Sequence, residues 1–179
     1  RRCRRLSMLL VAALHPIRAY LSAEGAELPW MARAQLAPGA EIVRLRAGDG
    51  FSVGTLDFIV RHTPGHTRES VSFELLNLAN GTRLLFSGDF LFAGDVGRPD
   101  LGAFATDGLT LKEAVDQLRG SLASLADLPS DTQVMPGHGA GSECGKSICN
   151  IPATTLGIER VINRALRSHG DADEFAAAM

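Results

Sequence analysis

Three times in this chain an apolar run breaks into a glycine-bearing corner that carries a metal-capable side chain. The corners are His62-Thr63-Pro64-Gly65-His66-Thr67, Ser87-Gly88-Asp89-Phe90 and Met135-Pro136-Gly137-His138-Gly139. A histidine, an aspartate and a second histidine, each just past a strand, can converge on one cation when those strand ends lie together in a sheet. The pattern therefore constrains the fold as well as the chemistry. Pro64 fixes φ and Gly65 permits close backbone approach, so the turn aims the His66 imidazole. Asp89 taken alone reads as a turn-former. Beside His66 and His138 it reads as a ligand, and the three form the candidate metal set. His62, four residues before His66 with a proline between, is expected to end its strand instead.

The segments between the corners read as strands over residues 17–21, 41–46, 51–53, 56–62, 71–76, 83–87 and 133–135. Asn80-Gly81 accepts the positive φ of a hairpin turn. Residues 111–125 carry Leu111, Val115, Leu118, Leu122 and Leu125 at helical spacing, with Thr110 and Glu113 placed for a capping box. Residues 154–166 read as a second helix, residues 23–37 as helical or irregular, and the tail from Ser168 as acidic and rich in small residues. Strands come in runs and helices come late. That order predicts an α/β chain of the α+β kind, a sheet with helices packed over it and chemistry in the loops.

At 179 residues the chain is long enough for one domain with a real core, residues 1–179. A net charge of −2 gives no sign of a nucleic-acid partner. No apolar run reaches the length needed to cross a bilayer. The three cysteines, Cys3, Cys144 and Cys149, are too few for a disulfide scaffold and point to a reducing, cytoplasmic compartment. Arg1-Arg2-Cys3-Arg4-Arg5 ahead of an apolar stretch has parts of a secretion signal, but no initiator Met and no small-x-small site accompany it. Residues 6–15 read better as an amphipathic helix cut at its front, which would make the chain a fragment.

Two further loops carry polar groups. In Gly94-Asp95-Val96-Gly97-Arg98-Pro99-Asp100-Leu101, Arg98 can fork onto a carboxylate, whether Asp95, Asp100 or an anionic substrate. Arg98 and Asp100 are the candidate substrate-binding pair. After His138, the loop over residues 139–146 offers Ser142, Cys144 and Lys146 for substrate contact. Nothing in the sequence places an activating base beside Cys144, so no nucleophile is assigned.

The corners Thr63-Pro64-Gly65-His66-Thr67, Gly88-Asp89 and Pro136-Gly137-His138-Gly139 resemble, in order, the later motifs of the metallo-β-lactamase superfamily. Gly88-Asp89-Phe90-Leu91-Phe92 through Gly97-Arg98-Pro99-Asp100-Leu101, with Gly139-Ala140-Gly141-Ser142-Glu143-Cys144-Gly145-Lys146, resembles more narrowly the persulfide dioxygenases, including bacterial forms fused to rhodanese domains. The resemblance implies an αββα sandwich, incomplete at its N-terminus because the superfamily's first motif, His-x-His-x-Asp-His, is absent. It also implies one Fe(II) held by two histidines and an aspartate. His66 and Asp89 would be two of these, with His138 lining the site or serving a second metal. The implied substrate is glutathione persulfide or a similar small thiol persulfide, oxidised to sulfite, and the implied assembly is a homodimer. With two of three iron ligands the chain is expected to have little dioxygenase activity. Two alternatives stay open. One is a Zn(II) thioesterase of the glyoxalase II type, against which stands the short stretch after the last motif. The other is a non-catalytic, truncated chain.

Overall fold

The computed structural model describes residues 18–27, 37–77, 81–101 and 110–178. The expected helix over residues 6–15 and most of the expected Asn80-Gly81 turn lie outside the described residues. The chain divides after Arg46 into two compact units.

The first unit holds β1 (Arg18–Ser22), the short helix α1 (Ala23–Ala26) and β2 (Glu41–Leu45). β1 and β2 pair in parallel, with Arg18 opposite Glu41 and Ser22 opposite Leu45. Ser22 ends the strand and caps α1, its Oγ accepting from Gly25 N at 2.9 Å.

The second unit is built on a six-stranded sheet. Its strands, in chain and spatial order, are β3 (Gly50–Val53), β4 (Leu56–His62), β5 (Val71–Asn77), β6 (Thr82–Gly88), β7 (Gln133–Pro136) and β8 (Thr154–Thr155). All neighbours are antiparallel except β6 and β7. A parallel pair needs a crossover, and α2 (Leu111–Ala123) lies in that connection. Thr110 and Glu113 close the expected capping box around its N-terminus. α2 ends two residues short of the expected boundary, where residues Ser124–Asp127 tighten into a 3-10 turn. Leu85 and Val134 from the sheet pack against Leu118, Leu122 and Leu125 to form the core, with Leu156, Leu166 and Phe175. The opposite face carries Phe51 stacked on Phe58 at 5.1 Å and edge-on to Phe73 at 5.4 Å.

The second long helix of the sequence reading is broken into three pieces. Thr154 and Thr155 form β8, Leu156–Ile162 form α3 and Arg164–Ser168 form α4. Asn163 is the cause: its backbone leaves helical geometry at ψ 112°, and its side chain caps α4 by accepting from Leu166 N at 3.2 Å. Ala172–Ala178 form a further helix, α5, where the sequence reading had only a small-residue tail. Its Phe175 is fully buried, an anchor that composition alone did not reveal.

Strand direction explains why the three corners lie on one edge of the sheet. β4 runs antiparallel to β5 and β5 to β6, so β4 and β6 point the same way. β7 runs parallel to β6. The C-terminal ends of β4, β6 and β7 therefore lie along one edge of the sheet, and His66, Asp89 and His138 follow them.

Candidate metal centre

The His66 corner is set against α2. Gly65 has φ +140°, and a Cβ there would stand 2.5 Å from Leu118 Cβ, so only glycine fits. Ser121 Oγ donates to Pro64 O at 2.7 Å and ties the turn to the helix. His62 does end its strand, with Nε2 at 3.2 Å from Arg68 O.

His66 is buried. Its Nδ1 lies 3.0 Å from the carbonyl oxygen of Arg98. A carbonyl only accepts, so Nδ1 carries the proton and Nε2 is the basic nitrogen. That Nε2 stands 4.0 Å from Asp89 Oδ2. On the other side, His138 Nδ1 stands 2.7 Å from Asp89 Oδ1. Despite this short distance Nδ1 is buried and has no aligned hydrogen bond. The site fits a metal ion on that ground. Phe92, fully buried, stands 6.1 Å from the His138 ring, centroid to centroid.

Cys144 also stands at the site. Its Sγ, a His66 ring nitrogen and an Asp89 oxygen lie within 4.8 Å of one another. The sequence reading allowed Cys144 a substrate contact but put no acid or base near it, and the structure corrects that. Its placement comes from a long-range hydrogen bond, Arg98 N to Cys144 O at 2.8 Å. Local sequence carries no signal for such a bond.

Arg98 therefore acts at this site through its backbone, which serves His66 on one side and Cys144 on the other. Its guanidinium forks onto Asp100, with Nε to Oδ1 at 3.0 Å and Nη2 to Oδ2 at 2.5 Å. The fork holds Asp100 below the usual carboxylate range, against the opposing effect of partial burial. A carboxyl lowered in the folded state stabilises it above the unfolded value and loses that contribution as pH falls through the folded value. The expected result is that Asp100→Asn flattens the loss of stability below about pH 4, seen by comparing urea midpoints of variant and wild type across acid pH.

Gly97 packs against both Asp89 and His66. A Cβ there would overlap the Asp89 carbonyl and stand 2.8 Å from His66 Cβ. Gly97→Ala is expected to cost about 1–3 kcal/mol and to weaken metal uptake, measured by thermal unfolding and by metal titration of the folded variant.

The family model of the metallo-beta-lactamase superfamily matches residues 8–138. An uncharacterized protein of Mycobacterium tuberculosis is 36% identical over 138 residues, 73% of this chain and 53% of that protein. The chain thus spans about half the length of the mycobacterial relatives it matches. A hydroxyacylglutathione hydrolase of Tolumonas auensis is 38% identical over 100 residues, 55% of this chain and 32% of that protein. Among solved structures, a metallo-beta-lactamase from Staphylococcus aureus subsp. aureus COL aligns with a TM-score of 0.74 at 34% identity, covering 94% of this chain and 47% of that one. ETHE1 from Myxococcus xanthus aligns with a TM-score of 0.55 at 26% identity, covering 96% of this chain and 72% of that one. No helix among the described residues is long and apolar enough to cross a membrane.

Proposed function

The chain belongs to the metallo-β-lactamase superfamily, and from that premise we propose that it is the metal-holding part of a persulfide dioxygenase. The reaction is RSSH + O2 + H2O → RSH + sulfite + 2 H+, with a small thiol such as glutathione as RSH. His66 and Asp89 hold the metal, and His138 stands against Asp89 as a further ligand or lining group. Fe(II), when bound, supplies the redox chemistry that joins dioxygen to sulfur.

One observation carries this reading. The two stretches that resemble persulfide dioxygenases, residues 88–101 and 139–146, are far apart in sequence but bonded to each other at the cluster. Arg98 N donates to Cys144 O, and Arg98 O accepts from His66. They form one unit around the candidate metal. Within it, the chain's own residues hold and orient: Arg98 fixes the His66 tautomer, and the Arg98–Asp100 fork offers the polar surface for the thiol carrier.

The likeness to a hydroxyacylglutathione hydrolase favours a second reading, Zn(II)-dependent thioester hydrolysis. The two separate cleanly by product. The gene product loaded with Fe(II) and given glutathione persulfide is expected to take up one equivalent of oxygen per sulfite formed. Thioester hydrolysis with Zn(II), and no sulfite with Fe(II), would overturn the dioxygenase reading in favour of the hydrolase.

A further inference from the structure

Glu159 is a fully buried acidic side chain on α3, outside the metal-capable cluster. It accepts from Gly94 N at 2.9 Å, Thr154 Oγ1 at 2.9 Å and Asn163 Nδ2 at 2.8 Å. All three donors are neutral. Burying a carboxylate against neutral donors is a costly way to fill that space compared with an apolar side chain. Its use lies in what it holds.

Asn163, also fully buried, extends the grip. The residue that breaks α3 from α4 donates through Nδ2 to Asp95 O at 3.0 Å as well as to Glu159. Two side chains of one helix junction thus hold Gly94 and Asp95, the tip of the loop over residues 89–98. That loop is stiff. Phe90, Leu91, Phe92 and Ala93 are all fully buried, Leu91 bridges Val96, and Gly97 N donates to Phe90 O at 3.0 Å.

The ends of the loop are the site itself. Asp89 opens it, and Arg98 closes it with the carbonyl that receives the His66 proton. The tip also fixes the segment that follows Cys144. Asp95 Oδ2 accepts from Ser147 N at 2.6 Å, and Cys149 N donates to Ala93 O at 2.8 Å.

We propose that Glu159 and Asn163 are positioning residues: a clamp at the loop tip that fixes the tautomer and orientation of His66, and the place of Cys144, from outside the site. The link to metal rests on the reading of His66 and Asp89 as ligands. The clamp itself can be tested without metal.

The test is the Nδ1–H signal of His66 in the metal-free, 15N-histidine-labelled chain. Glu159→Leu keeps the volume but removes every acceptor, and is expected to lose the hydrogen-bonded His66 signal while the chain stays folded. Glu159→Gln can keep its oxygen on Gly94 and Asn163 and donate its amide to Thr154 Oγ1, so it is expected to keep the signal. If Glu159→Leu does not fold, Asn163→Ser decides: it leaves an oxygen to cap α4 but takes away the amide that reaches Asp95. Glu74→Ala, a destabilising change elsewhere in the sheet, is expected to leave the signal intact. A folded Glu159→Leu or Asn163→Ser with an unchanged His66 signal overturns the clamp, and so does equal loss in Glu74→Ala. In parallel, Zn(II) affinity is expected to fall about ten-fold or more in Glu159→Leu. Absence of Zn(II) uptake by the wild-type chain would overturn the ligand reading, while the metal-free spectrum still judges the clamp.

Discussion

Asp89→Ala is expected to abolish metal binding and leave the fold standing. Asp89 is the shared member of the site: one oxygen faces His66 at 4.0 Å and the other faces His138 at 2.7 Å. Removing it takes away the carboxylate that both imidazoles face. Each lost ligand removes a bond and opens the site to water. The carboxylate is partly exposed, about 30%. Its loss should therefore register in metal content by elemental analysis and hardly at all in the urea midpoint. Unchanged metal content in the variant would remove Asp89 from the site.

The largest stability effect is expected at Glu74, which is not at the site. Glu74 lies in β5 and is buried at 2% exposure. Arg61 on β4 donates to Oε2 at 2.8 Å, and Arg83 on β6 pairs with Oε1. Arg61 also reaches Asp127 at 2.9 Å and Ser124 O at 3.2 Å, so the network ties three neighbouring strands to the turn after α2. Breaking a buried ion pair by removing one partner typically costs 3–5 kcal/mol, because the remaining charge loses its compensation. Here the two arginines are partly exposed, at 19% and 27%, and can recover some hydration. Glu74→Ala is expected to cost about 3 kcal/mol, read from denaturant unfolding. A loss below about 1 kcal/mol, the scale of an exposed pair, would mean the network is incidental.

Much of this was legible in the sequence, for reasons that can be named. β4 matched the expected span of residues 56–62 because alternation and a terminal proline turn bound it on both sides. The α2 N-terminus was legible because a capping box is a local, four-residue device. The three corners could be read because proline and glycine set backbone geometry without help from distant residues. What could not be read was set at long range. The break at Asn163 is invisible to hydrophobic periodicity, since Leu156, Val161 and Leu166 continue the helical spacing through it. It is stabilised by a side chain that reaches Asp95 across the fold. Cys144 entered the cluster through a bond to Arg98, 46 residues away by their numbers and with no local signature. Arg98 itself was read by its guanidinium, whereas its backbone is what touches the site.

The central proposal is that His66 and Asp89 hold one metal at the shared edge of β4, β6 and β7, with His138 standing against Asp89 as a further ligand or lining group. The chain has five histidines, His15, His62, His66, His138 and His169, which makes them a direct readout. Zn(II) titrated into the 15N-histidine-labelled chain should saturate near one equivalent. The predicted result is a shift of His66 at Nε2, with His62 and His169 unmoved. Shifts confined to His15, His62 or His169, or no saturable shift at His66, would contradict the account.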